Sequence, residues 1–503
     1  MTTHTVRLLA LVALGAALSG CLVGPDYHRP AVPVPARYTE LRGWTAAAPQ
    51  DAAPKGTWWT AFHDPLIDEL EPRVAVSNLT VRQDYANYQE ALAEVKVARS
   101  QLFPTLGLTT SFTRSEGAAQ SAAAAGTGAT RASRVSNAAS LEGTAGWSPD
   151  LWGQVRRLIE ENAATAEADQ ALLANATLSE QTLLATTIIE LRLTDAGIDL
   201  QQRTVTAYRD ALRVTEEQGG AGITAAPPSA VITARVALET AQANLIGLGV
   251  ARAQYAHAVA VLVGENPEDL VVPHSTLMPV LPLVPAGVPS TLLERRPDIA
   301  AAERTMAAEN ATIGIAVAAY YPTLSLSAAG GLSQSPLDGL LHAANRVWSL
   351  GATGAETVLD FGERHAEVAA ARAAYDGAVA SYRNTVLSAF EDVENDLAGL
   401  RILAQQAQAL DVAVRDAVRG TQIALAEFQA GTVDYTTVAA AQEVQLSDEQ
   451  SALSVEESRL VDAVALIGDL GGGWSQRELR DPVHAADPPR AGRAVADPAT
   501  TSP

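Results

Sequence analysis

"VKVARSQLFPTLGLTTS", residues 95–111, returns later in the chain as "GIAVAAYYPTLSLSAAG", residues 314–330. Each stretch reads as the end of an Ala-containing helix, an aromatic residue, Pro-Thr-Leu, and then a run in which apolar and small residues alternate. Alternation with a period of two predicts a strand that has one apolar face. Because Pro104 and Pro322 occupy matching positions, the two stretches indicate an internal repeat.

Two further landmarks follow each proline in the same order. "SPDLWGQVRR" (148–157) resembles "VLDFGERHAE" (358–367), and both follow the predicted strands. "TEEQGGAG" (215–222) and "AEFQAGTV" (426–433) then interrupt two long helical patterns at corresponding places. Three landmarks in one order are not expected by chance, so we predict that the chain is two copies of one structural plan.

The repeated plan begins with a helix that runs to the proline, over roughly 78–102 and 297–319, and continues with two strands separated by a loop. In the first strand Leu106, Leu108 and Phe112 fall on one face, and small polar residues fall on the other. Strands of about ten residues with one apolar and one polar side are typical of outer-membrane barrels. A soluble sandwich gives the same alternation and is the alternative.

Aromatic residues near the strand ends favour the membrane interpretation, because Tyr and Trp prefer the boundary between hydrocarbon and water. The weakest of the four strand patterns lies near 348–359. The aromatic residues concerned are Phe103, Trp147, Trp152, Tyr320, Tyr321, Trp348 and Phe361.

After each predicted hairpin comes a very long helical pattern, over 156–216 and 363–428, then a short break and a helix that returns by nearly as much. At 1.5 Å per residue, about 60 helical residues reach about 90 Å. The apolar stripe of these helices is narrow, so they cannot enclose a globular core and must pack side by side.

Four strands cannot close a membrane barrel, since the smallest such barrels use about eight. An open edge in lipid would leave backbone donors and acceptors unpaired. We therefore expect the strands of several chains to combine, and the assembly to be a hollow cylinder.

The N-terminus contains the only cysteine of the chain. The apolar run Leu8–Leu18 is too short to span a bilayer and suits a secretory signal. "LSGC", residues 18–21, resembles a bacterial lipobox, which predicts removal of residues 1–20 and a covalent lipid on Cys21. Leu22 favours the outer membrane in this class. The alternative is an ordinary signal peptide with an incidental Cys.

Composition and motifs exclude several classes of function. The chain has 35 basic and 57 acidic side chains and a net charge of −22, which argues against nucleic acid or an anionic lipid surface as partner. No metal-spaced pair of His, G-x-S-x-G, P-loop or dinucleotide motif occurs, so we predict no enzyme, no metal site and no cofactor besides the lipid. No apolar run after the signal approaches 18 residues, so no spanning helix is expected.

Five ordered motifs resemble the TolC-like outer-membrane efflux lipoproteins, from about residue 21 to residue 474. The motifs are "CLVGPDYHRP" (21–30), "WWTAFHDPLIDEL" (58–70), "LLERRPDIAAAER" (292–304), "YYPTLSLSAAGG" (320–331) and "LDFGER" (359–364). The resemblance implies a mainly α fold with a membrane β-barrel: a homotrimer with a 12-stranded barrel, four strands per chain, and a long periplasmic helical barrel. It also implies an outer-membrane location and the role of exit duct for drugs or other small molecules, with a periplasmic adaptor and an inner-membrane transporter as partners.

In that family the turns between the long helices meet the adaptor and carry the constriction of the pore. The family pattern has Asp where this chain has Ala440, and Asp434 is the candidate substitute. Pro227–Pro228 replaces the usual start of the first return helix, so we expect a longer or stiffer tip there. The pore-gate candidates are Asp434, Tyr435, Thr436 and Ala440. The docking-tip candidates are Gly219, Gly222, Phe428 and Gly431.

Two rival functions remain: the duct of a type I protein secretion system, which has the same fold, and a non-conducting lipoprotein scaffold. The predicted segments are a signal peptide (1–20); a lipid anchor, Pro-rich linker and equatorial segment (21–77); a first repeat (78–290) with hairpins at 104–149 and 154–264; a second repeat (291–474) with hairpins at 322–360 and 363–470; and a tail (475–503) that we expect to be disordered.

Overall fold

The computed structural model describes residues 22–35, 37–40, 56–117, 134–220, 228–284, 292–334 and 342–485. The helices are α1 (Pro65–Ser77), α2 (Leu79–Ser100), α3 (Gln154–Gly220), α4 (Pro228–Leu262), α5 (Pro297–Ala318), α6 (Glu363–Gln429) and α7 (Tyr435–Asp469). The strands are β1 (Thr105–Gly117), β2 (Arg134–Trp147), β3 (Thr323–Gln334) and β4 (Arg346–Ala355). Single helical turns lie at Leu292–Arg295 and Pro482–Ala485.

The two halves of the chain have the same architecture, which confirms the predicted repeat. Helices α2 and α5 each have 22 residues, α3 and α6 each have 67, and α4 and α7 each have 35. Both long helices begin directly after a glycine with a positive φ, 86° at Gly153 and 97° at Gly362, where a side chain would strain the backbone.

The strands form one antiparallel sheet in the order β1-β2-β3-β4. Thr105 pairs with Gly146 in the first hairpin, and Thr323 pairs with Ala355 in the second. The hairpins join where β2 meets β3, with Glu142 opposite Gly331. A Cβ on Gly331 would lie 2.1 Å from the Leu141 carbonyl oxygen, so only glycine fits this close approach.

The shorter helices abut end to end beside the long ones. Ser77 Oγ donates to the Val263 carbonyl oxygen at 2.8 Å, which brings the start of α2 to the end of α4, and both helices pack along α3. Arg296 likewise links the end of α7 to the start of α5 through Asp469 Oδ1 at 3.0 Å. The expectation that the return helices nearly match the outgoing ones is therefore wrong, because two stacked helices cover the length of one long helix.

The largest apolar core lies where these helices meet. Trp58, Trp59 and Phe62 pack there with buried residues of α1, α3 and α6. Asp64 caps α1 by accepting from Leu66 N at 2.7 Å, and the buried Arg192 side chain donates to its other oxygen at 2.8 Å. Asp64 is thus a structural residue.

Residues 475–485 pack against the helices, so the expectation of disorder is wrong for this part of the tail. Arg480 N donates to Gln170 Oε1 at 3.0 Å, and Leu479 packs against a patch of small residues on α3 and α5. The sparse apolar residues of this segment gave no periodic signal, although Trp474 and Leu479 both pack against buried alanines of α3 and α5. Residues 486–503 lie outside the described residues.

Candidate functional site

The sheet has one apolar face that nothing in the described chain covers. Leu106, Leu108 and Phe112 of β1 are 83%, 74% and 60% exposed. The strand register places apolar residues of the other strands on the same face: Leu141, Ala145, Trp147, Leu326, Ala328, Leu332, Trp348 and Leu350. An uncovered apolar surface of this extent suits contact with lipid.

The opposite face consists mainly of Thr, Ser, Gly and Ala, with Val347 near one end, as expected for a wall that faces water. Glu142 lies on this face, opposite Thr109 on one side and Gly331 on the other. Within residues 105–117, 137–147, 323–333 and 346–355 of the four strands, Glu142 is the only charged residue on the polar face.

Aromatic side chains line the end of the sheet where the helices begin. The rings of Trp152 and Tyr321 stack with centroids 4.8 Å apart. Trp152 Nε1 donates to the Pro322 carbonyl oxygen at 2.7 Å, and Trp147 Nε1 donates to the Leu102 carbonyl oxygen at 3.0 Å. Rings with one apolar side and one bonded N–H match the aromatic belt of a membrane interface.

An N-terminal arm, residues 22–35, starts at this belt. Val23 N donates to the Trp152 carbonyl oxygen at 3.2 Å, and the Leu22 side chain lies against Gly153. Cys21 lies outside the described residues, but it is covalently attached to Leu22.

One buried arginine holds the arm. The Arg157 side chain is 2% exposed; its Nε donates to the Val23 carbonyl oxygen at 3.1 Å and its Nη2 to Asp26 Oδ1 at 2.9 Å. Asn310 of α5 donates to the Pro25 carbonyl oxygen at 3.1 Å. Farther along, Arg29 donates to the Tyr382 hydroxyl at 2.8 Å. The arm therefore binds both repeats.

The turn between α6 and α7 forms the described tip. Asp434 caps α7 by accepting from Thr437 N at 3.3 Å and from the Thr436 hydroxyl at 2.5 Å, and these bonds hold its pKa below the usual value. Tyr435 is buried against Phe428, with ring centroids 5.9 Å apart, and burial raises its pKa to about 12. Gly431 has a φ of 71°.

The exposed side of α7 brings three residues of the tip together. Thr436, Ala440 and Glu443 are all exposed and lie at intervals of four and three, hence on one helix face. Tyr435 is directed into the tip core instead. Sequence reasoning missed Glu443, although its helical spacing from Ala440 was a readable signal.

The tip of the first repeat is only partly described. Helix α3 ends at Gly220, with Gly219 in its last turn, and α4 begins at Pro228. Gly222 and Pro227 lie outside the described residues, so the longer or stiffer tip stays a prediction.

No group of His, Cys, Asp or Glu in the described part of the chain could hold a metal ion. One helix among the described residues, α4, is long and apolar enough to cross a membrane by length and composition, which the search for uninterrupted apolar runs did not anticipate. In the fold α4 packs along α3 as one arm of the helical hairpin.

A sheet with a lipid-type face, an aromatic belt and long helices beyond it define the class of outer-membrane channels with a helical extension. The chain is similar to the toluene efflux pump outer membrane protein TtgC of Pseudomonas putida, with 29% identity over 480 residues, 94% of this chain and 97% of that protein. It is 27% identical to the cation efflux system protein CusC of Escherichia coli, over 92% of this chain and 97% of CusC. The outer-membrane channel OprN superposes with a TM-score of 0.82 at 27% identity, covering 90% of this chain and 100% of OprN.

The family model of outer membrane efflux proteins matches residues 72–265 and 288–472, and the chain belongs to this family. Its fold is that of trimeric channels in which each chain supplies four strands to a β-barrel and long helices to a helical barrel. It is an outer-membrane efflux channel and not an enzyme.

Proposed function

We propose that three copies of this chain form the passive exit duct of a tripartite pump, which receives drugs or other small molecules from a periplasmic adaptor and an inner-membrane transporter. The observation that carries the proposal is the two-faced sheet that continues, through the Trp147 and Trp152 belt, into helices of 67 residues. A helix of that length reaches about 100 Å. That span is sufficient to meet partners far from the outer membrane.

The names of the relatives bear on the cargo. TtgC is named for toluene efflux and CusC for cation efflux. Both names support small molecules as cargo, and neither favours the polypeptide that a type I secretion duct would carry.

The attachment to the membrane is proposed to include a lipid on Cys21. The position of Leu22 beside Gly153, at the aromatic belt, supports this assignment, since an acyl chain on the preceding residue would start at the lipid boundary. Metabolic labelling with palmitate tests it: label is expected in the native protein and absent from Cys21→Ala. The variant should still need detergent for extraction, because the barrel remains.

The tips are proposed to hold both the gate and the adaptor contact. Asp434, Thr436 and Ala440 are exposed at the start of α7, where three copies would bring them around one axis. Gly219, Gly222 and Gly431 are the proposed docking positions. Phe428 and Tyr435 support the tip from within, since both rings are buried.

Conductance of the purified protein in a planar bilayer tests the duct. Discrete, cation-selective steps are expected, because the polar face and the tips carry carboxylates. A trimer that gives no steps would point to a gate opened by the adaptor. A protein that runs as a monomer and gives no steps would contradict the duct and favour the scaffold alternative.

A further inference from the structure

The two outer strands of the sheet present open edges in the single chain. Every residue of β4 is exposed, and β1 has a strand neighbour on one side only. Unpaired backbone groups at such edges cost several kcal/mol each in lipid. A second copy of the chain is the natural occupant, since β4 of one copy can meet β1 of the next.

The chain already contains a template for this contact. The β2–β3 seam joins the end of the first repeat to the start of the second, and Thr144 pairs there with Ala329. Alignment of Pro104 with Pro322 carries β1 onto β3 with a constant shift, and the hairpin registers then carry β2 onto β4 with a constant shift. Under these shifts Thr144 corresponds to Thr353, and Ala329 corresponds to Ser111. If the β4–β1 contact repeats the β2–β3 pairing, Thr353 therefore lies opposite Ser111 of the neighbouring copy.

The faces of the two strands agree in this register. Thr353 and Ser111 both lie on the polar face, and the adjacent pair, Ala352 with Phe112, lies on the apolar face. A slip of one residue would turn every apolar side chain of one strand to the wrong side.

The register also preserves one close backbone approach. Within the chain Gly331 meets Glu142, and the equivalent pair across copies is Thr113 with Gly351. A glycine occupies one side of both seams.

An aromatic pair extends the same relationship beyond the strands. The shifts that align the hairpins carry Trp152 onto Phe361 and Tyr321 onto Phe103. Trp152 stacks on Tyr321 within the chain, whereas Phe361 and Phe103 are 93% and 67% exposed.

The backbone holds Phe361 in this exposed position. Its φ is 52°, a strained value for a residue with a side chain. Gly362 N donates to Asp360 Oδ1 at 3.0 Å, and the Arg364 guanidinium lies 5.3 Å above the Tyr320 ring. A strained backbone that holds the Phe361 ring in solvent indicates a contact that the single chain lacks.

We propose that β4 pairs with β1 of the neighbouring copy with Thr353 opposite Ser111, and that Phe361 stacks on Phe103 of that copy. The proposal rests on the trimer proposed above and adds the register and the aromatic pair that close it.

Cysteine cross-linking of the full-length protein in membranes tests the register. Ser111→Cys with Thr353→Cys places two thiols on directly opposite residues, whose Cα atoms lie about 4.5–5.5 Å apart, within disulfide reach. Thr109→Cys or Thr113→Cys, each with Thr353→Cys, keeps the polar face but shifts the pair by two residues, to about 7–8 Å. Phe112→Cys with Ala352→Cys supplies the neighbouring pair, since hydrogen-bonded and non-bonded pairs alternate.

After mild oxidation, a reductant-sensitive trimer is expected on denaturing gels from at least one in-register pair, at about tenfold the yield of the shifted pairs. Equal or greater yield from a shifted pair would overturn the register. The native mass of the unsubstituted protein separates two failures. A trimer without in-register cross-links contradicts the register alone, and a monomer contradicts the assembly as well.

The aromatic pair has its own test. Phe361→Ala is expected to speed trimer dissociation in heated detergent by about fivefold, the equivalent of an aromatic contact of about 1 kcal/mol. Val358→Ala, in the same loop and 91% exposed, is the matched control. In combination with Phe103→Ala the two effects should not add. Full additivity, or equal rates for Phe361→Ala and Val358→Ala, would overturn the pair.

Discussion

Asn78 donates a hydrogen bond from Nδ2 to the Leu262 carbonyl oxygen at 2.8 Å, which ties the start of α2 to the end of α4. Its Oδ1 caps α2 by accepting from Thr80 N at 2.8 Å, and Nδ2 also reaches Glu180 Oε2 of α3 at 2.9 Å. The Asn78 side chain thus caps the start of α2, bonds to the end of α4 and links both helices to α3.

Replacement of Asn78 should weaken this joint. Asn78→Ala is expected to lower the free energy of unfolding by about 2 kcal/mol, through loss of a helix cap and of a buried hydrogen bond. Asn78→Ser retains the cap and should cost less. Thermal unfolding in detergent measures the change, with the exposed Asn87→Ala as control. Equal unfolding temperatures for the two Ala variants would show that the joint contributes little.

Removal of Arg157 should release the N-terminal arm. Arg157→Ala leaves Asp26 and the Val23 carbonyl oxygen without their donor. Because Asp26 is 77% exposed, the loss should be about 1–2 kcal/mol, so amide exchange of residues 22–35 should quicken by about tenfold. Hydrogen–deuterium exchange with mass spectrometry reads this directly. Arg213→Ala is the control, because Arg213 lies near the other end of α3, where it binds Glu217. Unchanged exchange in Arg157→Ala would mean that other contacts hold the arm.

Glu71 should make stability fall as pH rises. Its side chain is 0% exposed, neither carboxyl oxygen has a partner among the described residues, and burial raises its pKa to about 9. The folded state binds the proton more tightly than the unfolded state, so Glu71 opposes folding increasingly from pH about 4 up to about 9. Glu71→Leu should add about 3 kcal/mol at pH 7 and little at pH 4. Unfolding temperatures of both proteins across that range test it; parallel curves would contradict the assignment.

Glu142 should contribute to the charge preference of the proposed duct. Glu142→Gln is expected to lower the ratio of K⁺ to Cl⁻ permeability by about twofold at low salt, where screening extends over about 30 Å. Reversal potentials in a KCl gradient give this ratio. Glu116→Gln removes the same charge from the opposite face near the end of β1 and should change it less. Equal shifts from both variants would argue against a water-filled polar face.

An acidic residue at position 440 should narrow the tip. Ala440→Asp would place three carboxylates around the axis of the trimer, so resting conductance should fall and divalent cations should block it further. Single-channel recording with and without Mg²⁺ measures both effects. Ala426→Asp adds the same charge to an exposed alanine of α6 instead of α7 and should leave conductance near its original value. Block in both variants would remove the special role of position 440.

The order of helices and strands could be predicted from the sequence because prolines mark the ends of helices. Pro104 and Pro322 disfavour helix at the preceding residue, and the predicted helices over 78–102 and 297–319 end within two residues of the observed ones. The lengths of α4 and α7 could not be predicted from the sequence. Their ends are set by stacking on α2 and α5, and contacts such as Asn78 with Leu262 leave no trace in local periodicity.

The N-terminal arm and the tip show that the sequence also fails to predict which single side chains are buried by distant parts of the chain. In the sequence Arg157 is an ordinary charged residue near the start of a long helix. In the structure it is buried by the arm, which lies more than a hundred residues earlier in the chain. Tyr435 is a pore-gate candidate from the sequence, but its ring is buried against Phe428 in the single chain. Helical spacing identifies the face that carries Ala440 and Glu443, whereas the partners of that face in an assembly belong to other copies of the chain.

The arm also makes the two repeats unequal. Arg157 and Gly314 receive it in the groove between α3 and α5, where a Cβ on Gly314 would lie 2.8 Å from the Arg157 side chain. When the two repeats are aligned, Arg157 corresponds to Ala366 on α6 and Gly314 corresponds to Lys96 on α2. Neither Ala366 nor Lys96 can bind an arm in the way that Arg157 and Gly314 do. A cylinder of six similar units thus has only threefold symmetry, and a binding partner meets two alternating kinds of groove around it.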